Sequence, residues 1–167
     1  GQGGDILLRV AICPGTFDPI TNGHLDIIKR AMDLFDRVII GVSADNYKQT
    51  LFSLEERVAL IKDVVKDYPK AAVKPFSGLL VDFARQEKAI AVVRGLRAVS
   101  DFEFEFQMSI MNKKLADDIE TVFLMTATEY SFISSSIIRQ VASLGGCIRG
   151  LVPPPVEQAL LKRYSQL

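Results

Sequence analysis

The chain has 167 residues, of which 49% are hydrophobic and 24% are charged. This size suits one compact domain with a core large enough to need no disulfide or metal, and it argues against a second domain. Because 20 basic residues balance 20 acidic ones, no net field attracts nucleic acid or an anionic membrane. A polyanionic ligand would have to meet a local cluster of cations.

The start of the chain and its two cysteines are not expected to indicate export or a metal site. The first residues, GQGGD, contain no methionine and no signal pattern, so Gly1 to Gly4 are interpreted as a cloning scar. No apolar run approaches the roughly 18 residues of a membrane span. Cys13 and Cys147 have neither C-x-x-C nor zinc-ligand spacing and are predicted to be reduced thiols of a cytoplasmic protein.

Strands and helices are predicted to alternate along the chain. Short β-branched runs predict five buried strands, at residues 6–13, 37–44, 71–76, 90–94 and 121–125. In the first predicted helix, apolar residues recur at the spacing of one helix face: Leu25, Ile28, Met32 and Phe35. The second helix opens with a capping box formed by Ser53 and Glu56, before an apolar stripe at Val58, Ile61 and Val65. Later helices are predicted at about 79–87, 101–116, 134–144 and 156–165.

This order predicts an α/β fold, a Rossmann-like doubly wound sheet of five parallel strands with helices on both faces. The whole chain, 1–167, is expected to form that single domain. In such sheets the ligand binds beyond the carboxyl ends of the strands, where the strand order reverses. The loops after the first, fourth and fifth strands are therefore the candidate ligand-binding loops.

The loop after the first strand, CPGTFDPITNGH, contains the only histidine of the chain, His24. Gly15 and Thr16 leave the strand and Gly23 precedes the histidine at the start of a helix, where backbone N–H groups and the helix dipole favour an anion. The loop matches neither the dinucleotide fingerprint nor the P-loop. A simpler interpretation stays open, in which Gly23 serves the turn and His24 packs or caps locally.

The other two loops also favour a phosphate ligand. Arg94 and Arg97 follow the fourth strand, and arginine forks commonly bind phosphate oxygens. After the fifth strand, SFISSSIIR sets three hydroxyls at a helix N-terminus, where one caps the helix and the others are free for phosphate. Lys48 follows the second strand. Each feature alone also fits solvated surface residues, but all of them are expected at one edge of the sheet.

The same stretches resemble a known family. CPGTFDPITNGH, the lysine after the second strand, RGLRAVSDFEFE and ISSSIIR are similar, in order and spacing over roughly residues 8–165, to the bacterial phosphopantetheine adenylyltransferases. TNGH and ISSSIIR alone indicate only the wider T/H-x-G-H nucleotidyltransferases. Two positions depart from the family pattern: Cys13 replaces an aromatic of some relatives, and Phe104 stands where others have tyrosine.

The resemblance implies an enzyme that transfers AMP from ATP to 4′-phosphopantetheine, giving dephospho-coenzyme A and pyrophosphate in coenzyme A synthesis. It also implies the site residues. The groups expected at the reacting phosphates are Thr16, His24, Lys48 and Arg97. The ATP-binding positions are Thr16, Phe17, His24, Gly95, Leu96, Arg97, Glu105 and the segment Tyr130, Ser131, Phe132, Ile133, Ser134, Ser135 and Ser136. The acceptor-binding positions are Thr16, Lys48, Leu80, Arg94, Met111 and Asn112, although helix packing alone explains Leu80 and Met111 nearly as well.

No protein metal site is predicted, because Asp18 opens an Asp-Pro turn and has no second carboxylate at ligand spacing. Mg²⁺ is expected to arrive with ATP. Two alternatives stay open: a related enzyme that transfers CMP or AMP to another phosphorylated acceptor, and a nucleotide-binding module without catalysis. The first should lack the full RGLRAVSDFEFE run, and the second would bind ATP without turnover.

The helix after the fourth strand has two apolar stripes. One comprises Phe104, Met108, Met111 and Leu115, and the other comprises Phe102, Phe106 and Ile110. A single chain is expected to bury only one of them, so the second is predicted to face another copy. Members of the family form hexamers, and the resemblance therefore implies a homohexamer.

Overall fold

The computed structural model describes residues 7–45, 49–97 and 99–165 of the chain. Five strands form one parallel sheet: β1 (Val10–Gly15), β2 (Arg37–Ser43), β3 (Ala71–Phe76), β4 (Ala91–Leu96) and β5 (Glu120–Met125). Their order across the sheet is β3-β2-β1-β4-β5. The strand order therefore reverses between β1 and β4, and the doubly wound sheet predicted from the sequence is confirmed.

In the described parts of the chain, six α-helices connect and follow the strands: α1 (Asn22–Leu34), α2 (Leu54–Val64), α3 (Leu80–Gln86), α4 (Val99–Leu115), α5 (Ser135–Ser143) and α6 (Pro154–Ser165). A short 3₁₀ helix covers Thr128–Tyr130. The predicted capping box of Ser53 and Glu56 begins α2. None of the described helices combines the length and apolar character needed to span a bilayer.

Two apolar clusters lie on opposite faces of the sheet, so helices cover both faces as predicted. Because side chains alternate along a strand, Ala11 and Cys13 of β1 join the larger cluster, with residues of α1, α2, α5 and α6. Val10 and Ile12 point the other way and pack with α3. Each buried strand thus contributes to both layers of the core.

Two strands, β1 and β4, differ from their predicted bounds by more than one residue at an end. β1 begins at Val10, four residues later than the sequence predicts, because Val10 pairs with the first residue of β2, Arg37, and the preceding Leu7 and Leu8 are exposed. β4 continues to Leu96, since its last residues still pair with β5. Arg94 therefore lies within the strand, and only Arg97 follows it.

Helix α4 does not bury either of its apolar stripes, and the expectation of one buried stripe is wrong. All seven apolar residues of the two stripes are exposed, from 43% for Met108 to 62% for Phe104. The face of α4 that lies toward the sheet is polar and less exposed. It comprises Asp101, Glu105, Ser109 and Asn112. The physical reason is that the carboxylates of this face pair with the arginines at the end of β4.

Candidate active site

A cavity of about 630 Å³ opens at the carboxyl edge of the sheet, between β1 and β4. These two strands pair only at Ala11 with Ala91 and at Ile12 with Val92, so they separate beyond that point. The ends of both strands, the N-termini of α1 and α5 and the inner face of α4 line the space. This is the position where doubly wound sheets bind ligands.

Most of the predicted site residues line this cavity: Thr16, Phe17, His24, Arg94, Gly95, Arg97, Glu105, Ile133, Ser134, Ser135 and Ser136. Seven predicted residues do not line it: Leu80, Leu96, Met111, Asn112, Tyr130, Ser131 and Phe132. Lys48 lies outside the described residues. The cavity therefore gathers the predicted reacting groups that the structure describes, but not the predicted wall of the pantetheine pocket.

His24 both caps its helix and lines the cavity. Thr21 is the N-cap of α1, and its hydroxyl accepts a hydrogen bond from the His24 N–H. In return the Thr21 N–H donates to Nδ1 of His24 over 3.0 Å. Because Nδ1 acts as the acceptor, the ring proton of the neutral imidazole belongs on Nε2. The capping interpretation and the functional one are thus compatible.

The charge state of His24 follows from its surroundings. Burial, together with the nearby charges of Arg94 and Arg97 acting in the same direction, lowers the pKa of His24 from 6.5 to about 4. The ring also packs edge-on against Phe17, with 5.0 Å between ring centroids. At neutral pH the imidazole is therefore uncharged, held in one orientation, and able to donate from Nε2.

The loop that precedes His24 has a constrained backbone. Phe17 is buried and adopts a φ of 52°, in the left-handed region that residues with a side chain seldom occupy. A Cβ atom at Gly15 would lie 3.0 Å from the Phe17 ring, so glycine allows the ring to fold back over the strand end. Thr16 lies between these two residues, exposed at the mouth of the cavity.

Both carboxylate oxygens and the carbonyl of Asp18 accept hydrogen bonds from other parts of the fold. Asp18 is 4% exposed, and its two carboxylate oxygens accept hydrogen bonds from the N–H groups of Leu51 and Phe52, both at 2.9 Å. Arg139 of α5 lies 3.6 Å from the same carboxylate and donates to the Asp18 carbonyl. Within the described residues no group of three His, Cys, Asp or Glu side chains could hold a metal ion.

Arg57 of α2 is a buried residue that the sequence analysis did not identify. It is 1% exposed and donates to the carbonyls of Thr16, Ser43 and Phe52. The predicted stripe of α2 contained Val58, but Val58 is only partly buried. The available signal was spacing, because Arg57 lies four residues before the buried Ile61.

The guanidinium of Arg94 forms a bidentate ion pair with the carboxylate of Glu105. Its Nε and Nη2 atoms donate to the two oxygens of Glu105 at 2.8 and 2.6 Å, and Nη1 reaches the Pro14 carbonyl at 3.2 Å. The resemblance places Arg94 on the acceptor and Glu105 on ATP, and the two residues form one ion pair at the cavity wall. A change at either residue therefore alters the other.

Arg97 is held more loosely than Arg94. Its Nε donates to Asp101, four residues further along the chain, at 2.9 Å, and Nη1 donates to the carbonyl of Ile133 at 3.1 Å. Both partners of the ion pair are partly exposed. The charge of Arg97 consequently faces the cavity next to the N-terminus of α5.

The hydroxyls of the three serines at the N-terminus of α5 differ in their hydrogen bonds. Ser134 caps the helix by accepting from the Ile137 N–H, as expected for one of them. The hydroxyl of Ser135 donates to the Pro19 carbonyl at 2.7 Å, so the expectation that both other hydroxyls are free is wrong for this residue. The hydroxyl of Ser136 makes no hydrogen bond with any described residue.

Two further groups shape the cavity floor. A Cβ atom at Gly95 would lie 2.9 Å from Ile27, so glycine is needed where α1 approaches β4. Burial raises the pKa of the Cys13 thiol to about 12, although Arg94 opposes this shift. Cys13 is therefore a neutral part of the wall, and both it and the exposed Cys147 are free thiols.

Comparison with known proteins agrees with this fold. A family model described as cytidylyltransferase-like matches residues 12–141. A solved structure of a lipopolysaccharide core biosynthesis protein from Thermoplasma volcanium superposes with a TM-score of 0.55, covering 72% of this chain and 99% of that one. At 19% sequence identity this likeness concerns the fold alone.

Sequence relatives are much closer. A phosphopantetheine adenylyltransferase of Moorella thermoacetica is 76% identical over 96% of this chain and all of its own length. The protein of the same name from Clostridium tetani is 56% identical over 95% of this chain and 99% of its own. With identities this high over nearly the full length of both proteins, the chain belongs to the phosphopantetheine adenylyltransferase family of nucleotidyltransferases.

Proposed function

We propose that the chain transfers AMP from ATP to 4′-phosphopantetheine and releases pyrophosphate, forming dephospho-coenzyme A. A phosphate oxygen of the acceptor attacks the α-phosphorus of ATP, and the bond from that phosphorus to the bridging oxygen breaks with its electrons leaving on pyrophosphate. The observation that carries the proposal is His24, which lines the cavity while its Nδ1 accepts from the Thr21 N–H, so that the proton of the neutral ring belongs on Nε2. The family to which the chain belongs supplies the identity of the acceptor.

The chemistry requires little more than alignment and charge stabilisation. The attacking phosphate is already an anion, so no deprotonated serine and no general base is needed. What the site must provide is donors directed at the α-phosphoryl oxygens, where negative charge accumulates in the transition state. His24 supplies such a donor, while Arg97 and the N-terminus of α5 provide positive potential beside it.

We assign the reacting groups as the family resemblance implies. His24 donates to the α-phosphate, Thr16 contacts both substrates, and Lys48 orients the attacking phosphate. Arg97 and the serines of α5 bind the β- and γ-phosphates, with the remaining ATP contacts from Phe17, Gly95, Leu96, Glu105 and residues 130–133. Arg94 binds the acceptor phosphate, while Leu80, Met111 and Asn112 form the pantetheine pocket.

We further propose that Mg²⁺ arrives with ATP. The described residues contain no metal-binding group of three His, Cys, Asp or Glu side chains, and both oxygens of Asp18 are occupied by backbone N–H groups. The ion would therefore be held by phosphate oxygens and water, as is common for Mg²⁺. Its contribution would be to neutralise phosphate charge.

The assembly and compartment are also proposals. We propose that residues 1–167 form a single nucleotidyltransferase domain in a cytoplasmic homohexamer, without a nucleic acid or membrane partner. The exposed apolar residues of α4 support self-association, because exposed apolar surface of this extent commonly marks an interface. The two free cysteines suit a reducing compartment.

The test of the function is pyrophosphate release from ATP and Mg²⁺ with 4′-phosphopantetheine, beside nicotinamide mononucleotide and phosphocholine as other acceptors. We expect turnover with phosphopantetheine alone. His24→Asn should lower kcat by about 10²- to 10³-fold, the usual cost of removing one donor to a transition-state oxyanion.

The matched control for this experiment is Glu56→Ala. Glu56 is the corresponding third residue of the α2 capping box, so its loss removes a similar cap without touching the cavity. Its kcat should stay near that of the unmodified chain. Turnover only with another acceptor would contradict the substrate assignment, and ATP binding without turnover would indicate a binding module.

A further inference from the structure

Arg57 joins three separate segments of the chain from beneath the cavity. Its Nη1 atom donates to the Thr16 carbonyl at 2.7 Å and to the Ser43 carbonyl at 3.0 Å, and its Nε atom donates to the Phe52 carbonyl at 3.2 Å. The side chain is 1% exposed and does not line the cavity. It therefore acts on the site only through the backbone it binds.

The chemistry of this position explains why it is an arginine. A buried charge is unfavourable unless it is hydrogen-bonded, and the planar guanidinium can direct several N–H groups at once. Burial lowers the pKa of Arg57, and the charges of Asp18 and Glu55 oppose this shift. A lysine has a single nitrogen at the end of a flexible stem, so it could not bind the three carbonyls in the same geometry.

A second connection runs between the same two regions. The carboxylate of Asp18 accepts hydrogen bonds from Leu51 and Phe52, while Arg57 links the Phe52 carbonyl to the Thr16 carbonyl. The loop is thus tied to the start of α2 on both sides of Phe17. Phe17 is the residue with the left-handed backbone, a conformation that persists only when its surroundings hold it.

We propose that Arg57 is a positioning residue for the adenylyl transfer, which holds Thr16 at the distance and angle needed at the reacting phosphates. This inference rests on the proposed function, because it concerns the placement of a group assigned there. Arg57 does not touch substrate. Its effect on catalysis passes through the Thr16 carbonyl and the loop that follows it.

The experiment compares Arg57→Lys with Arg163→Lys. Arg163 of α6 is the matched control: it also donates to a backbone carbonyl at the start of α2, that of Leu51 at 2.6 Å, but has no bond to the Thr16 loop. Both variants lose one arginine fork, so both should lower thermal stability. Only Arg57→Lys should lower kcat, by about 10- to 100-fold, as expected when reacting groups shift by up to about 1 Å. The KM for ATP should change little.

A double-mutant cycle tests whether the effect passes through Thr16. In a Thr16→Val background the lysine substitution should reduce kcat much less than it does alone, since the group that Arg57 positions is already lost. Equal losses in both backgrounds, or an equal loss in Arg163→Lys, would overturn the inference and leave a purely structural role.

Two additional measurements keep the inference falsifiable. If Arg57→Lys does not fold, Asp18→Asn weakens the second connection and should give the same fall in kcat without a matching rise in KM. Amide hydrogen exchange of residues 16–18 should be faster in Arg57→Lys than in Arg163→Lys, and equal rates would overturn the proposed tie. An unmodified chain without any turnover would contradict the proposed function, and the exchange rates would then decide separately whether Arg57 holds the loop.

Discussion

The two walls of the cavity are built in opposite ways. The loop wall, residues 16–18 after β1, is held by buried groups of the same chain. Arg57 donates to the carbonyl of Thr16, and the Asp18 carboxylate accepts from two N–H groups just before α2. The helix wall, formed by α4, meets the sheet through partly exposed ion pairs of Glu105 and Asp101. The apolar side chains of α4 face outward.

This difference indicates where each wall obtains its rigidity. Buried hydrogen bonds to charged groups are costly to break, because each broken bond leaves a polar group without water. Exposed ion pairs contribute little by comparison. The loop wall is therefore fixed by the chain itself, whereas we expect the helix wall to depend on contacts made by its outer face.

The largest expected effect compares one aspartate from each wall. Asp18→Ala leaves two buried N–H groups without an acceptor and Arg139 without its partner, so the free energy of unfolding should fall by about 3 to 5 kcal/mol. Asp101→Ala removes a partly exposed ion pair with Arg97, four residues before it in the chain, and should cost at most about 0.5 kcal/mol. Urea denaturation of both variants measures the two values. Similar losses would contradict the proposed difference between the walls.

A change of pH is expected to have an intermediate effect on the free energy of unfolding, because the pKa of His24 is shifted by burial and by the arginines that pair with α4. The folded-state pKa of about 4 lies below the ordinary 6.5. The unfolded chain therefore binds one more proton between these values, and stability should decrease as the pH falls from about 6.5 to 4. The slope from this residue is at most about 1.4 kcal/mol per pH unit.

The control for the pH experiment is His24→Asn, which removes the only histidine. Free energies of unfolding at pH 7, 6 and 5 should diverge between the two proteins, the unmodified chain losing more. Carboxylates contribute equally to both and cancel in the difference. Parallel curves would mean that the imidazole is not held in its neutral form.

The smallest effect on the folding of the protomer is expected on the outer face of α4. Phe104→Gln combined with Ile110→Gln replaces two exposed side chains by good helix formers, so the protomer should remain folded with a change of about 0.5 kcal/mol or less. The mass from light scattering should nevertheless fall to that of one chain. Glu103→Gln, an exposed polar position of the same helix, should leave the mass unchanged. A monomeric mass for the unmodified chain would contradict the proposed assembly.

The fold could be predicted because its signals are local. The β-branched runs and the helical stripes alternate, and the handedness of parallel connections then leaves few arrangements. The loop of His24 was identifiable for the same reason, since its glycines, hydroxyls and imidazole are near neighbours in the chain. The order of the elements along the chain predicted a doubly wound sheet, whereas the position of the reversal, between β1 and β4, is known from the structure.

What could not be predicted depends on distant contacts or on the rotation of a helix. Arg57 contacts Thr16 across 41 positions of the chain, and nothing near it indicates that its side chain is buried. For α4 the usual assumption, that apolar stripes face the core, gave the wrong orientation. Arg94 and Glu105 are 11 residues apart, and only the rotation of α4 reveals that they form a pair. The position of Leu80 behind the sheet likewise follows from the packing of α3.

The single histidine has a practical consequence for spectroscopy. Because the chain contains no other imidazole, every ring-nitrogen resonance of histidine in an NMR spectrum arises from the cavity. No assignment experiment is needed to connect such a signal to its place in the structure. The protein thus contains a natural probe at the point where its two walls meet. A titration with nucleotide, followed by NMR, would report the protonation state of the His24 imidazole directly.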